Sequence, residues 1–161
     1  MKEIPIRDDD KMNDYERGFL EAALDGEGCL SFGKIHRRQK GKERLNRNFY
    51  WDIQCYISNT NLDWLLKIQK VINGGTIFKG SRKKNPNWKD FYRLDIPQSV
   101  LKRILPEIKL VIKERHRILV LEAMRLLSDH NKWHSPNDSQ LEEIYDEMKQ
   151  LNHKGKMRNM D

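Results

Sequence analysis

Asp25-Gly26-Glu27-Gly28 sets two carboxylates and two glycines in four consecutive positions of a 161-residue chain. They close the nine-residue stretch Leu20-Glu21-Ala22-Ala23-Leu24-Asp25-Gly26-Glu27-Gly28, which reads as the last turns of a helix and its exit. Upstream, Asn13 with Glu16 three positions later has the pattern of a capping box. Gly18, Ala22 and Gly26 recur every four residues and line one side of that helix, where another backbone could come close. Gly26 and Gly28 suit a left-handed exit. Carboxylates at this end face the negative pole of the helix dipole, a penalty of about 0.3–1 kcal/mol each unless a cation offsets it. A divalent metal would do so.

Composition says what such a site could act on. The chain carries 31 Lys+Arg against 24 Asp+Glu, a formal charge of +7. Residues 34–47 hold seven basic side chains and one acidic, and residues 79–93 hold six and one. Those windows carry +6 and +5, together +11, so the remainder sums to −4. Charge concentrated in this way marks a surface for a polyanion. Cys29 and Cys55 are the only cysteines, with no partners at metal-ligand spacing, and fit a reduced intracellular protein. No apolar run approaches the ~18 residues of a membrane span, and residues 1–11 do not read as a signal peptide. The expected location is therefore intracellular, cytoplasmic or organellar.

The elements that must position the acids follow from periodicity. The first helix covers about 14–26. Residues 29–35 alternate as a half-exposed strand, 37–47 form a basic turn, and 48–58 return as a second strand. In that strand Phe49, Trp51, Ile53, Cys55 and Ile57 share one side, with Tyr50, Asp52, Gln54, Tyr56 and Ser58 on the other. A second helix starts at Thr60 or Asn61, buries Leu62, Leu65, Leu66, Ile68, Val71 and Ile72, and ends at Asn73-Gly74-Gly75. Residues 76–79 and 91–96 make a second hairpin with a basic tip, and 98–105 a short helix. Pro106 opens a longer helix to about Ser128, with Ile108, Val111, Ile112, Ile118, Leu119, Ala123, Leu126 and Leu127 inward. Ser135-Pro136 caps a last helix bearing Leu141, Ile144, Tyr145, Met148 and Leu151, and 152–161 is a polar tail. The fold class is α+β, a four-stranded antiparallel sheet with helices on one face. It divides into an arm (1–12), a core (13–128) and a C-terminal helical extension (129–161).

Position for position, LEAALDGEG resembles the LAGLIDADG signature of the homing endonucleases. Leu20, Leu24, Asp25, Gly26 and Gly28 are conservative matches, and Glu27 takes the place of the catalytic acid. Glu21 replaces the usual alanine and Ala22 the usual glycine, which makes the helix contact slightly bulkier. The resemblance covers about 13–128 and implies an αββαββα core whose sheet saddles the DNA major groove. It implies Glu27 and the carbonyl of Gly26 as ligands to Mg²⁺, with Mn²⁺ or another divalent cation able to substitute. It further implies a basic residue near the scissile phosphate, Lys113, within Leu110-Val111-Ile112-Lys113-Glu114-Arg115-His116. A polar residue at the end of the second strand would hold the water network. Ser58 and Asn59 compete for that place, and Asn59 is taken here.

The hairpin tips supply phosphate contacts through Lys34, Arg37, Arg38, Lys40, Lys42, Arg44, Arg47, Lys79, Arg82, Lys83, Lys84 and Lys89. Base reading falls to Ser31, Gln54, Tyr56 and Arg93. The motif occurs once, and one acid cannot cut two strands. A two-fold homodimer joined through Gly18, Ala22, Ala23 and Gly26 brings two Glu27 residues near its axis. The expected activity is metal-dependent, site-specific cleavage of both strands of a long pseudo-palindromic DNA, by a protein of intron-encoded type. The main rival is a non-cleaving nucleic-acid binder on the same fold, either an intron RNA maturase or a DNA-binding regulator. A plain basic interaction module is the third reading.

Overall fold

The structure, a computed structural model, describes residues 11–36, 49–80, 90–128 and 137–157, and every structural statement below concerns those residues. Chain order is α1 (Asp14–Glu27), β1 (Gly28–His36), β2 (Phe49–Asn59), α2 (Leu62–Ile72), β3 (Thr76–Gly80) and β4 (Phe91–Asp95). There follow α3 (Gln98–Ile104), a 3₁₀ turn (Leu105–Glu107), α4 (Glu114–Ser128) and α5 (Asp138–Met157).

Local chemistry accounts for the ends. The Asn13 side chain accepts the Glu16 amide at 2.8 Å while the Glu16 carboxylate accepts the Asn13 amide at 3.1 Å, closing the capping box. Asn61 caps α2 through the Trp64 amide at 3.1 Å. Asn73 then ends it in the left-handed region at φ 46°. Gly28 does not make the left-handed exit expected of it. It is extended (φ −78°, ψ 147°), and α1 runs directly into β1. A Cβ there would lie 2.7 Å from the Leu24 carbonyl oxygen and 2.8 Å from its Cα, so glycine is needed for close approach.

The sheet order is β1-β2-β4-β3, antiparallel throughout, as two hairpins joined at β2 and β4 require. Leu30 pairs with Cys55, Phe32 with Ile53, and Ile57 with Leu94, so one face is apolar and buried. All the helices contribute to the core on that side, among them Leu20, Leu24, Leu65, Ile68, Leu101, Leu119, Leu141 and Met148. The other face, with Ser31, Gln54, Tyr56, Ser58 and Arg93, carries no helix. Burial pushes the Cys55 thiol up to about 12, and it packs as a small apolar side chain.

Several expectations need correction. The helix from Pro106 to Ser128 is broken, because residues 108–113 are not helical and α4 begins at Glu114. Within that segment Ile108 and Leu110 are buried, but Val111 and Ile112 are 91% and 76% exposed rather than inward. Leu66 and Ile118 also face outward. At the C-terminal end α5 continues through residues 152–157, where a tail was expected. The Ser135-Pro136 cap lies outside the described residues. No helix among the described residues is long and apolar enough to cross a membrane.

Candidate functional site

The corner where α1 becomes β1 presents Glu27. Its side chain is exposed and makes no hydrogen bond or ion pair to a described residue. It borders an open cleft of about 350 Å³ lined also by Ser58, Asn59, Thr60 and Phe91. Among the described residues no three His, Cys, Asp or Glu gather into a preformed metal cage. A cation held here would take Glu27, a backbone carbonyl and oxygens from outside the chain, a donor set suited to a hard divalent ion.

Lys113 lies under the same corner. Its ammonium donates to the carbonyls of Leu24 at 2.8 Å, Asp25 at 2.7 Å and Gly28 at 2.8 Å, leaving out that of Gly26. Burial pushes its pKa below the ordinary lysine value, against the pull of Asp25, Cys29 and Glu27. Asp25 points the other way from Glu27. Its carboxylate accepts the amides of Val111 at 2.7 Å, Ile112 at 3.2 Å and Lys113 at 2.9 Å. The cation that offsets the negative end of α1 is thus the chain's own lysine.

The two residues at the end of β2 part company. Alternation puts Ser58 on the uncovered face with Tyr56, opposite Arg93 in the register. Asn59 has the parity of buried Ile57, and its side chain accepts the Asn61 amide at 2.9 Å, capping the turn into α2. Both line the cleft with Glu27. Thr60 and Phe91 were not singled out from sequence; only the pairing of β4 with β2 brings Phe91 there.

The uncovered face holds the residues expected to read bases. The Arg93 guanidinium lies 4.0 Å from the centre of the Tyr56 ring and pairs with Asp95. A hydrogen bond to Cys29 holds the Tyr56 phenol above its ordinary pKa. Gln54 donates to Asp52 at 2.8 Å, and Ser31 lies directly opposite Gln54 in the register.

Lys34 is a correction. It has the parity of Leu30 and Phe32, so it points to the helix-covered side. There it ion-pairs with Glu142 at 2.5 Å, lies within 4.7–5.5 Å of the Phe49, Trp51 and Tyr145 rings, and is only 18% exposed. It holds α5 to the sheet instead of meeting phosphate. Lys79 is exposed but pairs with Asp90 at 2.9 Å, which raises its pKa. Arg37, Arg38, Lys40, Lys42, Arg44, Arg47, Arg82, Lys83, Lys84 and Lys89 lie outside the described residues.

Gly18, Ala22 and Gly26 form an exposed stripe on α1, and a Cβ at Gly18 or Gly26 would meet nothing within 4 Å. Ala23 does not belong to it. It is buried in the chain's own core.

No family model and no curated protein matches this chain. Solved structures do. It is similar to the archaeal intron-encoded homing endonuclease I-Vdi141I complexed with DNA, with TM-score 0.66, 17% identity, and 86% of this chain and 84% of that one covered. It is also similar to the homing endonuclease I-CvuI in complex with its target in the presence of calcium, with TM-score 0.58, 21% identity and coverage of 86% and 85%. A second complex of I-CvuI, with magnesium and uncleaved DNA, gives TM-score 0.59 at 19% identity, covering 86% and 85%. The group I intron-encoded homing endonuclease I-CeuI complexed with DNA matches with TM-score 0.61 at 15% identity, covering 86% and 68%. The chain therefore has the homing-endonuclease fold, α+β with one sheet face uncovered.

Proposed function

We propose that this protein is a homing-type endonuclease that cuts both strands of a long pseudo-palindromic DNA as a divalent-cation-dependent homodimer. One observation carries the reading. At the foot of a helix whose small-residue side is exposed among the described residues, Glu27 is exposed, without a hydrogen bond or ion pair to a described residue, and beside the uncovered sheet face. The neighbours' complexes with DNA, and with calcium or magnesium for I-CvuI, support it.

In this reading the sheet lies against the duplex, and the basic tips contact phosphates on either side. Glu27 and the Gly26 carbonyl would hold the cation, and the chemistry it would supply there is polarisation of the phosphate and a lowered pKa of water. Ser58, on the open face, is the better placed of the β2 pair to order solvent in the cleft. Asn59 shapes the wall. Ala22 and its neighbouring glycines let a second α1 approach, so that two Glu27 residues serve two strands.

The test is to incubate the protein with a library of duplexes and Mg²⁺, then repeat with Glu27→Gln. Cutting of a defined duplex by the parent, with binding kept and cutting lost in the variant, supports the proposal. Specific binding by the parent without cutting of any duplex overturns it in favour of a non-cleaving binder.

A further inference from the structure

We propose that Arg93 reads a guanine in the base pairs beside the cleft, and that Asp95 and Tyr56 are positioning residues that hold its guanidinium for the task. This assignment rests on a duplex lying against the open sheet face, as in the nuclease reading. Arg93 stands on that face by alternation, since its neighbour Leu94 is buried against the helices. A guanidinium has five N–H donors in a planar fork. The Nε–H donates to the Asp95 carboxylate, two positions along β4 on the same side of the strand. Among the described residues no other hydrogen bond engages the group. Its carbon lies 4.0 Å from the centre of the Tyr56 ring.

Three strands build the support. Asp95 of β4 stands directly opposite Tyr56 of β2, and Tyr56 opposite Cys29 of β1, to which its phenol is hydrogen-bonded. Across the ladder from Arg93 itself are Ser58 on β2 and the exposed Phe78 on β3, neither of which carries a charge to compete for the fork. With Nε engaged, the two terminal nitrogens remain, and they can donate two parallel bonds. In the major groove a guanine edge offers two acceptors, O6 and N7, where adenine offers one acceptor and one donor. The group is therefore matched to guanine, and its conformation is fixed before the base arrives.

A phosphate contact is the competing role, and the surroundings oppose it. Such a contact draws on net positive charge, and here the Asp95 carboxylate offsets that charge and would itself face the phosphate. Reading a base edge draws on directed hydrogen bonds, which the carboxylate fixes. Position along the duplex follows from the register. Ser58, the partner of Arg93 on β2, lines the cleft with Glu27, as does Phe91 two positions earlier on β4. The guanine thus belongs to the pairs next to the phosphate to be cut, away from the hairpin tips.

The experiment selects duplexes from a randomised library by binding to the full chain in Ca²⁺, with cutting measured apart in Mg²⁺. The parent should select guanine at one position of each half-site. Arg93→Gln should select adenine there and leave the other positions as they were, because a glutamine amide pairs with the N6 and N7 edge. Exchanging that guanine for adenine should weaken binding by the parent about fivefold to a hundredfold and strengthen binding by Arg93→Gln. Asp95→Asn and Tyr56→Leu should each shrink the guanine preference about twofold or more, and should leave base preference at that position unaltered in the Arg93→Gln background. Guanine kept at every position by Arg93→Gln overturns the assignment. So does a loss uniform over sequences with the slope of log K against log salt lowered by about one, the mark of a phosphate contact. Effects of Asp95→Asn and Tyr56→Leu that persist in the Arg93→Gln background remove their positioning role. Should Arg93→Gln fail to fold, Arg93→Met keeps the apolar stem without the donors; it should show no preference at that position, and a retained guanine overturns the proposal. A parent that selects guanine but never cuts sinks the nuclease reading alone, and one that cuts while indifferent to guanine sinks this inference alone.

Discussion

Asp25 and Glu27 stand two positions apart at the end of one helix, yet one accepts three amides and the other accepts nothing from the described residues. Two residues along a helix turn the side chain about 200°, so the pair faces opposite ways. Sequence identified both acids as the place to look, but it could not divide their roles. The division depends on residues 111–113, more than eighty positions away, which dock on Asp25's side alone. Lys113 was legible as a basic residue belonging to the site; that its ammonium donates to three carbonyls follows only from the docking. Gly28 gives a prediction at this scale. A Cβ there would meet Leu24 backbone atoms at 2.7 and 2.8 Å, atoms that cannot move without unwinding the helix end. Gly28→Ala should cost about 1–3 kcal/mol, read as a fall in denaturant midpoint with unchanged m-value. Glu114 gives a second. Its hydrogen bonds to the Arg117 guanidinium, at 2.8 and 2.6 Å, hold the carboxyl at about 2, below its ordinary 4.5. A depressed folded pKa contributes stability above the unfolded value that is lost as pH falls through the folded one. Glu114→Gln should therefore be less stable than the parent at pH 7, with the gap closing between about pH 4.5 and 2. Urea midpoints across that range check it, and a gap of constant size would contradict the assignment.

At the scale of elements, period-two and period-3.6 patterns placed α1, β1, β2 and α2 to within one or two residues, because their buried faces alternate cleanly. The same reasoning failed over 108–113. Ile108, Val111 and Ile112 have helical spacing, but the amides a helix would use are taken by carboxylates of α1 and α4, and the chain stays open. A tertiary partner overrode local pattern. Lys34 was misassigned for a related reason: its window is basic, but its parity is that of the core side. With Trp51 donating from its indole nitrogen to Asp138 at 3.2 Å, Lys34 joins the sheet to α5. Lys34→Met should lose about 1–3 kcal/mol of stability. It should leave the slope of log K against log salt for DNA unchanged, whereas removing a phosphate-contacting tip residue lowers that slope by about one. Binding titrations at several salt concentrations separate the two outcomes.

For the whole molecule, the net charge understates how the charge is arranged. The two tip windows carry +6 and +5 while everything else sums to −4. Within those windows, Lys34, Lys79 and Arg93 are neutralised by Glu142, Asp90 and Asp95. The rest of the basic surplus in the two windows belongs to residues outside the described ones, and the described sheet face itself carries Asp52, Arg93 and Asp95. In the proposed reading, the tips would hold a duplex by its phosphates and this face would read its bases. The proposed homodimer doubles that arrangement about α1. Since a Cβ at Gly18 or Gly26 meets nothing within 4 Å among the described residues, and Ala22 is exposed, a large side chain on this stripe has room beside the described residues of the monomer. Ala22→Arg should then leave the circular dichroism and thermal midpoint of the folded chain intact. Across a two-fold axis it would oppose two unpaired guanidinium groups, costing about 3–5 kcal/mol of association. Sedimentation should show the parent as a dimer and the variant as a monomer at the same concentration. With one Glu27 per particle, the variant should lose double-strand cutting far more than it loses binding to a half-site. A parent that sediments as a monomer on its DNA, or a variant that still cuts both strands, would remove α1 as the pairing element and leave the second strand without an acid.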